Sequence, residues 1–285
     1  MLAKALSSLG KSTQLIGIII TALIFVGGCT SPLLITEGSQ VVTRENMNVK
    51  KSILFTEDGI AIDASHFLSG KPDVCILAHG FMGSKQRPYI TKLAERLSPH
   101  FDVITFDFRG HGKSGGVSNG TEEFYDIKAV IDYARRSGYQ QIALVGFSLG
   151  GVEGIYVAAR FHDVDALVTV GTPADAAAII PNAGWLFWMA NNPLGRLVLR
   201  IWVRLGDAPE FPKPVAAIDQ VSPVPLLIIY GSKDTLVDVA EAEILYQKAK
   251  EPKELVIIAG MDHPPKLPEE FYDTVESWLT GLLQK

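Results

Sequence analysis

Short apolar segments, each followed by a stretch with helical periodicity, recur along most of this chain from residue 49 onward. Val74–Ala78, 142–145 and Ala166–Val170 are near-continuous aliphatic runs, which are typical of strands buried on both faces. Between two of these runs, residues 124–134 space their apolar side chains along one face of a helix. Strands that alternate with helices predict an α/β fold, with a mostly parallel central sheet and helices on both faces.

The remaining elements follow the same pattern. Near the start of the predicted domain, 52–55 and 60–62 flank Glu57-Asp58-Gly59, which predicts a β-hairpin. Hydrophobic residues make up 47% of the chain, enough to bury the core of a large sheet. Further strands are predicted at 101–106, 226–229 and 255–258, and further helices at 90–97, 152–159 and 271–282.

One connection breaks this alternation. Residues 172–221 separate two predicted strands, whereas such connections typically contain about 2–6 residues. The segment holds three of the four tryptophans and a helical pattern of its own, which predicts a short helical lid. Because a lid over a site lines an apolar pocket, Trp185 and Trp188 are candidate substrate contacts. The alternative is that these aromatic side chains are buried against the core.

The N-terminal residues 1–28 have the pattern of an export signal. Lys4 and Lys11 precede the apolar segment 15–26, which is shorter than the roughly 20 residues that a membrane-spanning helix needs. The sequence Val-Gly-Gly-Cys that ends at Cys29 resembles a bacterial lipobox, in which the cysteine is acylated and becomes the new N-terminus. This resemblance predicts a bacterial lipoprotein that is cleaved after residue 28.

An uncleaved N-terminal anchor, with Cys29 incidental, is the alternative. Both interpretations predict an exported protein attached to a membrane through its N-terminus. The segment 29–48 is largely polar, contains Pro32 and Gly38 and has no clear periodicity, which indicates a tether. The chain is therefore divided into a signal peptide or anchor (1–28), a tether (29–48) and a folded domain (49–285).

Charge and cysteine content exclude several classes of protein. The net charge of −5 and the absence of a basic cluster argue against a nucleic-acid partner, because phosphate binding needs grouped lysine and arginine. Two cysteines are too few for a disulfide framework or a cysteine-based zinc site. Cys75 lies within a predicted buried strand and is interpreted as a small buried apolar residue.

The sequence Gly146-Phe147-Ser148-Leu149-Gly150 follows a predicted strand and opens a predicted helix. In that context, Gly-x-Ser-x-Gly predicts a sharp turn that exposes a nucleophilic serine, and the flanking glycines leave room for the turn. The helix N-terminus adds backbone N–H groups and a positive dipole end beside the hydroxyl. We therefore predict that Ser148 is the nucleophile.

A serine hydroxyl needs a base to remove its proton. His263 directly follows the last predicted strand, and Asp234 follows the strand before it. Because loops at the carboxyl ends of parallel strands meet at one edge of the sheet, both side chains are expected near Ser148. His263 is the predicted general base and Asp234 the acid that orients it. Asp238, at the start of a helix, and Asp262 are the rival acids.

The tetrahedral intermediate of acyl transfer needs N–H donors for its oxyanion. One predicted donor is the backbone N–H of Leu149, which directly follows the nucleophile. The other is the backbone N–H of Phe81, in the loop after the strand Val74–Ala78, where Gly80 lets the backbone turn inward.

These motifs together resemble the α/β-hydrolase superfamily, near its serine aminopeptidase, monoacylglycerol-lipase and carboxylesterase-like branch, over about residues 50–285. The resemblance implies the triad Ser148–Asp234–His263 and an oxyanion hole at Phe81 and Leu149. It also implies that His79 and His111 are structural, so neither a metal nor another cofactor is expected. Two prolines directly after His263 depart from the family pattern. The matching segments are 79–81, 107–114, 146–150, 231–234 and 262–263.

The predicted activity is hydrolysis of carboxylic esters, small or monoacyl with an apolar acyl part, through an acyl-enzyme. An amide or peptide hydrolase could use the same triad, because leaving-group protonation serves both reactions. A binding module that kept the fold but lost activity is a third alternative. Serine at the elbow disfavours the branches that use an aspartate nucleophile. The expected partners are a small-molecule ester or lipid-derived substrate and, through the N-terminus, a membrane.

Overall fold

The computed structural model describes residues 48–179, 182, 184–206, 212–264 and 266–284. The predicted signal segment 1–28 and all of the tether except its last residue lie outside these ranges. Eight strands form one sheet: β1 Asn48–Phe55, β2 Ala61–Leu68, β3 Val74–Ala78, β4 Asp102–Phe106, β5 Ile142–Phe147, β6 Ala166–Val170, β7 Leu226–Gly231 and β8 Lys253–Ile258.

The order of the strands across the sheet is β1-β2-β4-β3-β5-β6-β7-β8. The hairpin β1–β2 is antiparallel and also joins β4 in antiparallel fashion, whereas every pair from β4 to β8 is parallel. β3 and β5 lie at the centre of the eight-stranded sheet, and both are fully buried. The carboxyl ends of the parallel strands therefore form one edge of the sheet, where their loops meet.

Helices cover both faces of the sheet. One core cluster joins one face of the sheet to α2 (Phe124–Arg136) and α3 (Leu149–Phe161), and the other joins the opposite face to α1 (Pro88–Leu97) and α7 (Glu269–Leu283). The apolar periodicity of the sequence explains this arrangement, since α1, α2 and α7 each bury one side and leave the other polar. The helices are α1 Pro88–Leu97, α2 Phe124–Arg136, α3 Leu149–Phe161, α4 Gly184–Ala190, α5 Pro193–Leu199, α6 Ala240–Lys248 and α7 Glu269–Leu283.

The predicted α/β architecture is confirmed, including the hairpin and the order of strands and helices. The last helix begins at Glu269 with Pro268 at its N-cap, several residues after the two prolines that follow His263. No helix in the described ranges is long and apolar enough to cross a bilayer.

The lid segment contains α4 and α5, which are short and pack tightly on each other. A β-carbon on Gly195 would lie 2.5 Å from the backbone of Met189, so the two helices cross at a glycine. Met189, Leu199 and Val203 form a small core, and Phe81 and Met82 pack against it. The lid is therefore seated on the loop that follows β3, beside the carboxyl edge of the sheet.

The segment after α5 is fastened to the loop between β4 and α2. Val203 pairs with His111 and Leu205 with Ser118 in isolated β-bridges. Arg204 donates hydrogen bonds to the carbonyl oxygens of Ser114 and Gly116. These contacts fix one arm of the lid to the body of the domain.

Candidate active site

Ser148 occupies a strained turn between β5 and α3. Its φ of 50° and ψ of −109° lie outside the regions favoured by residues with side chains. A β-carbon on Gly146 would lie 2.3 Å from the carbonyl oxygen of Gly150, and one on Gly150 would lie 2.3 Å from that of Ala78. Both elbow glycines are thus required by backbone packing. Ser148 remains only half-buried at the carboxyl edge, so its hydroxyl is accessible.

His263 and Asp234 form a hydrogen-bonded pair at the same edge. The Nδ1–H of His263 donates to Oδ2 of Asp234 over 2.8 Å. The Asp234 carboxylate is 1% exposed, and its other oxygen accepts the backbone N–H groups of Leu236 and Val237 at 2.9 and 2.8 Å. These donors fix the orientation of the carboxylate, so the imidazole that bonds it presents Nε2 away from the aspartate.

The two rival aspartates make other contacts. Asp238 accepts the backbone N–H of Ala240 at the start of α6, the helix-capping contact expected from its position. Asp262 accepts the N–H and the hydroxyl of Thr235 and the backbone N–H of His263. It fixes the loop that carries the histidine but does not touch the imidazole through a hydrogen bond. Among the three acids, Asp234 is the one bonded to the ring.

Gly171 connects the serine to this pair, and the sequence analysis did not identify it. Ser148 donates its N–H to the carbonyl oxygen of Val170, the residue before Gly171. A β-carbon on Gly171, whose φ is +57°, would lie 3.2 Å from Oδ2 of Asp234 and 3.2 Å from the ring of His263. The end of β6 thus contacts the backbone of Ser148 and lies against the side chains of Asp234 and His263. A glycine directly after a buried parallel strand was the available signal.

Neither Ser148 Oγ nor His263 Nε2 has a hydrogen-bond partner within the part of the chain that the structure describes. Both atoms are therefore available to a substrate. Catalytic hydrogen bonds of this kind often tighten only when substrate is bound.

The two expected oxyanion donors lie on either side of Ser148. A β-carbon on Gly80 would lie 3.4 Å from Cβ of Ser148, so the loop after β3 passes directly beside the nucleophile, with Phe81 as its next residue. Leu149 is the first residue of α3. Across the described ranges, neither backbone N–H has an intramolecular acceptor, which leaves both for a ligand oxygen.

Two buried histidines shape the loop after β3. His79 donates from Nδ1 to the carbonyl of Gly80 and accepts the N–H of Phe108 at Nε2. His111 donates from Nδ1 to the carbonyl of Arg109 and accepts the N–H of Met82 at Nε2 over 3.2 Å. Burial lowers the pKa of His79 to about 4 and that of His111 to about 3, so both rings are neutral near pH 7.

Met82, which His111 holds, has a positive φ of 56° and is the residue after Phe81. The hydrogen bond from Met82 to His111 therefore fixes the direction of the peptide groups beside the nucleophile. Asp107 adds a second restraint, because its carboxylate accepts the backbone N–H groups of Lys85 and Lys113. The sequence resemblance implied that His79 and His111 are structural, and the geometry shows the contacts they make.

The other candidate residues of the sequence analysis are Trp185, Trp188 and Cys29. Trp185 and Trp188 are 41% and 46% exposed, so neither is buried in the core. A surface groove of about 490 Å³ beside the loop after β8 includes neither tryptophan nor any member of the predicted triad among its lining residues. Cys29 lies outside the described residues, and Cys75 is fully buried in β3, where burial raises the pKa of its thiol. The described residues contain no cluster suited to hold a metal ion.

Comparisons with known proteins agree with this geometry. Residues 73–207 match the family model described as the alpha/beta hydrolase fold. The protein YfhR of Escherichia coli is 32% identical over 199 residues, which are 66% of this chain. The chain spans 62% of the length of YfhR, less than two thirds of that relative.

Solved structures show the same architecture. The esterase Pf2001 of Pyrococcus furiosus is 24% identical, with a TM-score of 0.69 over 87% of this chain and 100% of that chain. Est1E of Butyrivibrio proteoclasticus, solved with ferulic acid bound, is 23% identical, with a TM-score of 0.63 over 82% of this chain and 100% of that chain. At this identity the likeness concerns the fold. The strand order, the strained turn after β5 and these matches lead to one conclusion: the chain has the α/β-hydrolase fold.

Proposed function

We propose that this protein is a serine hydrolase that cleaves carboxylic esters with an apolar acyl part. The observation that carries the proposal is the 2.8 Å hydrogen bond between His263 and Asp234, packed over Gly171 beside the strained Ser148. The hydroxyl, imidazole and carboxylate follow three different strands, β5, β8 and β7. The structural likeness to the esterase Pf2001 supports an ester over other acyl substrates.

In the proposed acylation step, Nε2 of His263 removes the proton of Ser148 while Oγ attacks the ester carbonyl. The oxyanion that forms accepts the free N–H groups of Phe81 and Leu149. Asp234 keeps the imidazole in the tautomer whose Nε2 is a base and stabilises the imidazolium. His263 then protonates the departing alcohol, which leaves an acyl group on Ser148.

Deacylation repeats these roles with water as the nucleophile. His263 removes a proton from water, the hydroxide attacks the acyl carbonyl, and the proton returns to Ser148 as the acid leaves. Each step needs only groups that lie at the carboxyl edge. Hydrolysis of an amide would use the same groups, and only the leaving group differs.

The test combines active-site labelling with a substrate panel. The full chain should react with a fluorophosphonate probe at Ser148 and should hydrolyse p-nitrophenyl acyl esters faster than aminoacyl amides. Absence of labelling in folded protein would favour a binding module, and faster turnover of aminoacyl amides would favour a peptide hydrolase.

We further propose that the N-terminus attaches the protein to a membrane as a lipoprotein acylated at Cys29. The support is the Val-Gly-Gly-Cys sequence after a short apolar segment. Metabolic labelling with a fatty-acid analogue should mark the parent chain and not Cys29→Ala. Label that persists in Cys29→Ala would argue for an uncleaved anchor or another attachment site.

A further inference from the structure

The loop after β3 makes a tight turn beside Ser148. The turn spans residues 80–83, and the N–H of Gly83 closes it on the carbonyl oxygen of Gly80 over 2.9 Å. Met82, within the turn, has a positive φ of 56°, which is unfavourable for a residue with a side chain. A backbone conformation of this kind persists only where the surrounding structure holds it in place.

Each peptide group of this turn has a partner of its own. The carbonyl oxygen of Gly80 accepts the Nδ1–H of His79 at 2.7 Å. The N–H of Met82 is accepted by Nε2 of His111 at 3.2 Å. The carbonyl oxygen of Met82 accepts an N–H of Arg87, at 2.8 Å from Nη2. The two histidines were expected to be structural, whereas nothing in the sequence context singles out Arg87.

Arg87 is placed to act as a fixed support for the turn. It is the N-cap of α1, and its own carbonyl oxygen accepts the N–H groups of Ile90 and Thr91. Within the described ranges, the half-buried guanidinium bonds the Met82 carbonyl and pairs with no carboxylate. Burial lowers the pKa of His79, and the charge of Arg87 adds to that effect, so the cation lies close to the turn. A charged donor of this kind binds a carbonyl oxygen more strongly than a neutral one.

One peptide group links Arg87 to the expected oxyanion donor. The carbonyl that Arg87 binds and the N–H that closes the turn belong to the same planar group, between Met82 and Gly83. Rotation of that group would therefore break the bond to the carbonyl oxygen of Gly80. That carbonyl in turn sets the direction of the Phe81 N–H, because the two point in opposite directions across a trans peptide. Loss of the Arg87 contact would thus let the Phe81 N–H turn away from its position.

From these contacts we propose that Arg87 is a positioning residue for the oxyanion hole, which fixes the direction of the Phe81 N–H through the Met82 carbonyl. The inference rests on the proposed function, since that function gives Phe81 its role as a donor. Arg87 acts through the backbone and does not bind the substrate. Because the oxyanion forms only in the transition state, loss of Arg87 should lower kcat and leave KM nearly unchanged.

The test compares Arg87→Met with the parent as full chains acting on p-nitrophenyl acyl esters. Methionine keeps an apolar stem and removes every N–H donor of the side chain. The expected loss of kcat is about tenfold, smaller than the roughly 10²–10³-fold loss on deleting an oxyanion donor, since the Phe81 N–H is displaced but still present. Affinity for an alkyl trifluoromethyl ketone, whose adduct with Ser148 carries an oxyanion, should fall by the same factor. Arg87→Lys keeps a charged donor and should recover part of both losses.

The matched control is Arg96→Met on the same helix, α1. Arg96 is exposed and pairs with Asp273 and Glu276 on α7, away from the turn. This variant should keep the parent kcat and KM, because exposed ion pairs contribute little. Amide hydrogen exchange at residues 82 and 83 should be faster in Arg87→Met and unchanged in Arg96→Met. Circular dichroism checks the fold, and Arg87→Ala replaces Arg87→Met if the latter does not fold.

Three results would overturn the inference. They are a parent-like kcat in folded Arg87→Met, unchanged hydrogen exchange at residues 82 and 83, and a rise in KM with unchanged kcat, which would place Arg87 in contact with the substrate. A parent that neither reacts with a fluorophosphonate nor hydrolyses esters would contradict the proposed function as well. An active parent with a parent-like Arg87→Met would contradict the inference alone.

Discussion

The carboxyl edge of the sheet and the lid differ in what holds them together. At the edge, backbone groups pack within 2.3 Å of where a side chain would begin, and buried histidines and aspartates bind loop N–H groups. In the lid, three buried residues form a small core, and many large apolar side chains face outward. The carboxyl edge therefore has a single packed geometry, whereas the lid leaves much of its apolar surface exposed.

This contrast teaches that the two regions should respond differently to substitution. A substitution at the carboxyl edge should lower kcat by a large factor, because it removes a side chain that is held in one position and has one role in the reaction. A change in the lid should alter which substrates or surfaces are met, with smaller effects on the reaction itself. The predictions below test this division, beginning with the largest expected effect.

Replacing the nucleophile tests the edge most directly. Ser148→Ala should lower kcat on the order of 10⁶-fold, because the triad acts as a unit, and should leave the fold intact. Ester turnover and thermal unfolding of the same preparation give the two measurements. Substantial residual turnover in well-folded Ser148→Ala would show that the edge does not act through this serine.

The choice of acid is the next largest effect. Asp234→Asn should lower kcat about 10⁴-fold, since an amide would favour the wrong imidazole tautomer, whereas Asp238→Asn should change it only slightly. The matched pair differs in contact: one carboxylate bonds the His263 ring and the other caps α6. Steady-state kinetics give kcat for both variants. A larger loss of kcat in Asp238→Asn than in Asp234→Asn would identify Asp238 as the acid.

Glu153, behind the nucleophile in α3, should control how stability depends on pH. It is fully buried, and neither carboxylate oxygen has a hydrogen-bond partner within the described structure. Burial, with Glu123 and Asp126 nearby, raises the pKa of Glu153 well above its usual value. The folded state therefore keeps this proton while the unfolded state releases it, so stability is present below pH 4.5 and falls as pH rises.

Glu153→Gln removes this titration. The parent should lose stability above pH 4.5 with a slope from this group of up to about 1.4 kcal/mol per pH unit, and Glu153→Gln should show a smaller slope. Urea unfolding at a series of pH values measures it. Exposed Glu243 on α6 offers the control Glu243→Gln, which should leave the slope unchanged. Identical slopes for the parent and Glu153→Gln would mean that Glu153 is ionised in the folded state.

The smallest expected effect lies in the lid. We expect kcat/KM to rise from acetyl to medium-chain acyl esters, since each buried CH₂ contributes about 0.8 kcal/mol. Trp188→Ala should flatten this dependence more than it lowers acetate hydrolysis. If kcat/KM of Trp188→Ala depends on acyl-chain length as it does in the parent, Trp188 lies on the outer surface of the lid and does not contact the acyl chain. A preference for acetyl esters over all longer chains would contradict an apolar acyl pocket.

Local patterns predicted the sheet and the turns well. The aliphatic runs at Val74–Ala78 and Ala166–Val170 became β3 and β6 with the predicted bounds, because burial on both faces leaves little choice of residue. The glycines around Ser148 predicted the elbow for a different reason, because the close backbone contacts there leave no room for a β-carbon. Placement of Asp234 and His263 at one edge followed from parallel topology.

Long-range contacts could not be predicted in the same way. Nothing in the local sequence indicates that His111 accepts the N–H of Met82, 29 residues away. The interpretation of the lid aromatics as pocket or core residues rested on average burial, whereas Trp185 and Trp188 are about half exposed. Glu153 lies among small and aliphatic residues of α3, and only the packed structure shows that it has no partner.

The order of strands in the sheet sets how the protein should fail when heated. Ser148 follows the central strand β5, but His263 follows β8, the outermost strand, whose residues are mostly half-exposed or exposed. Outer strands open locally at lower free energy than central ones. Amide hydrogen exchange should therefore be faster in β8 than in β5. On heating, loss of activity should precede the calorimetric transition, because local opening of β8 displaces His263 while Ser148 is still held at the end of β5.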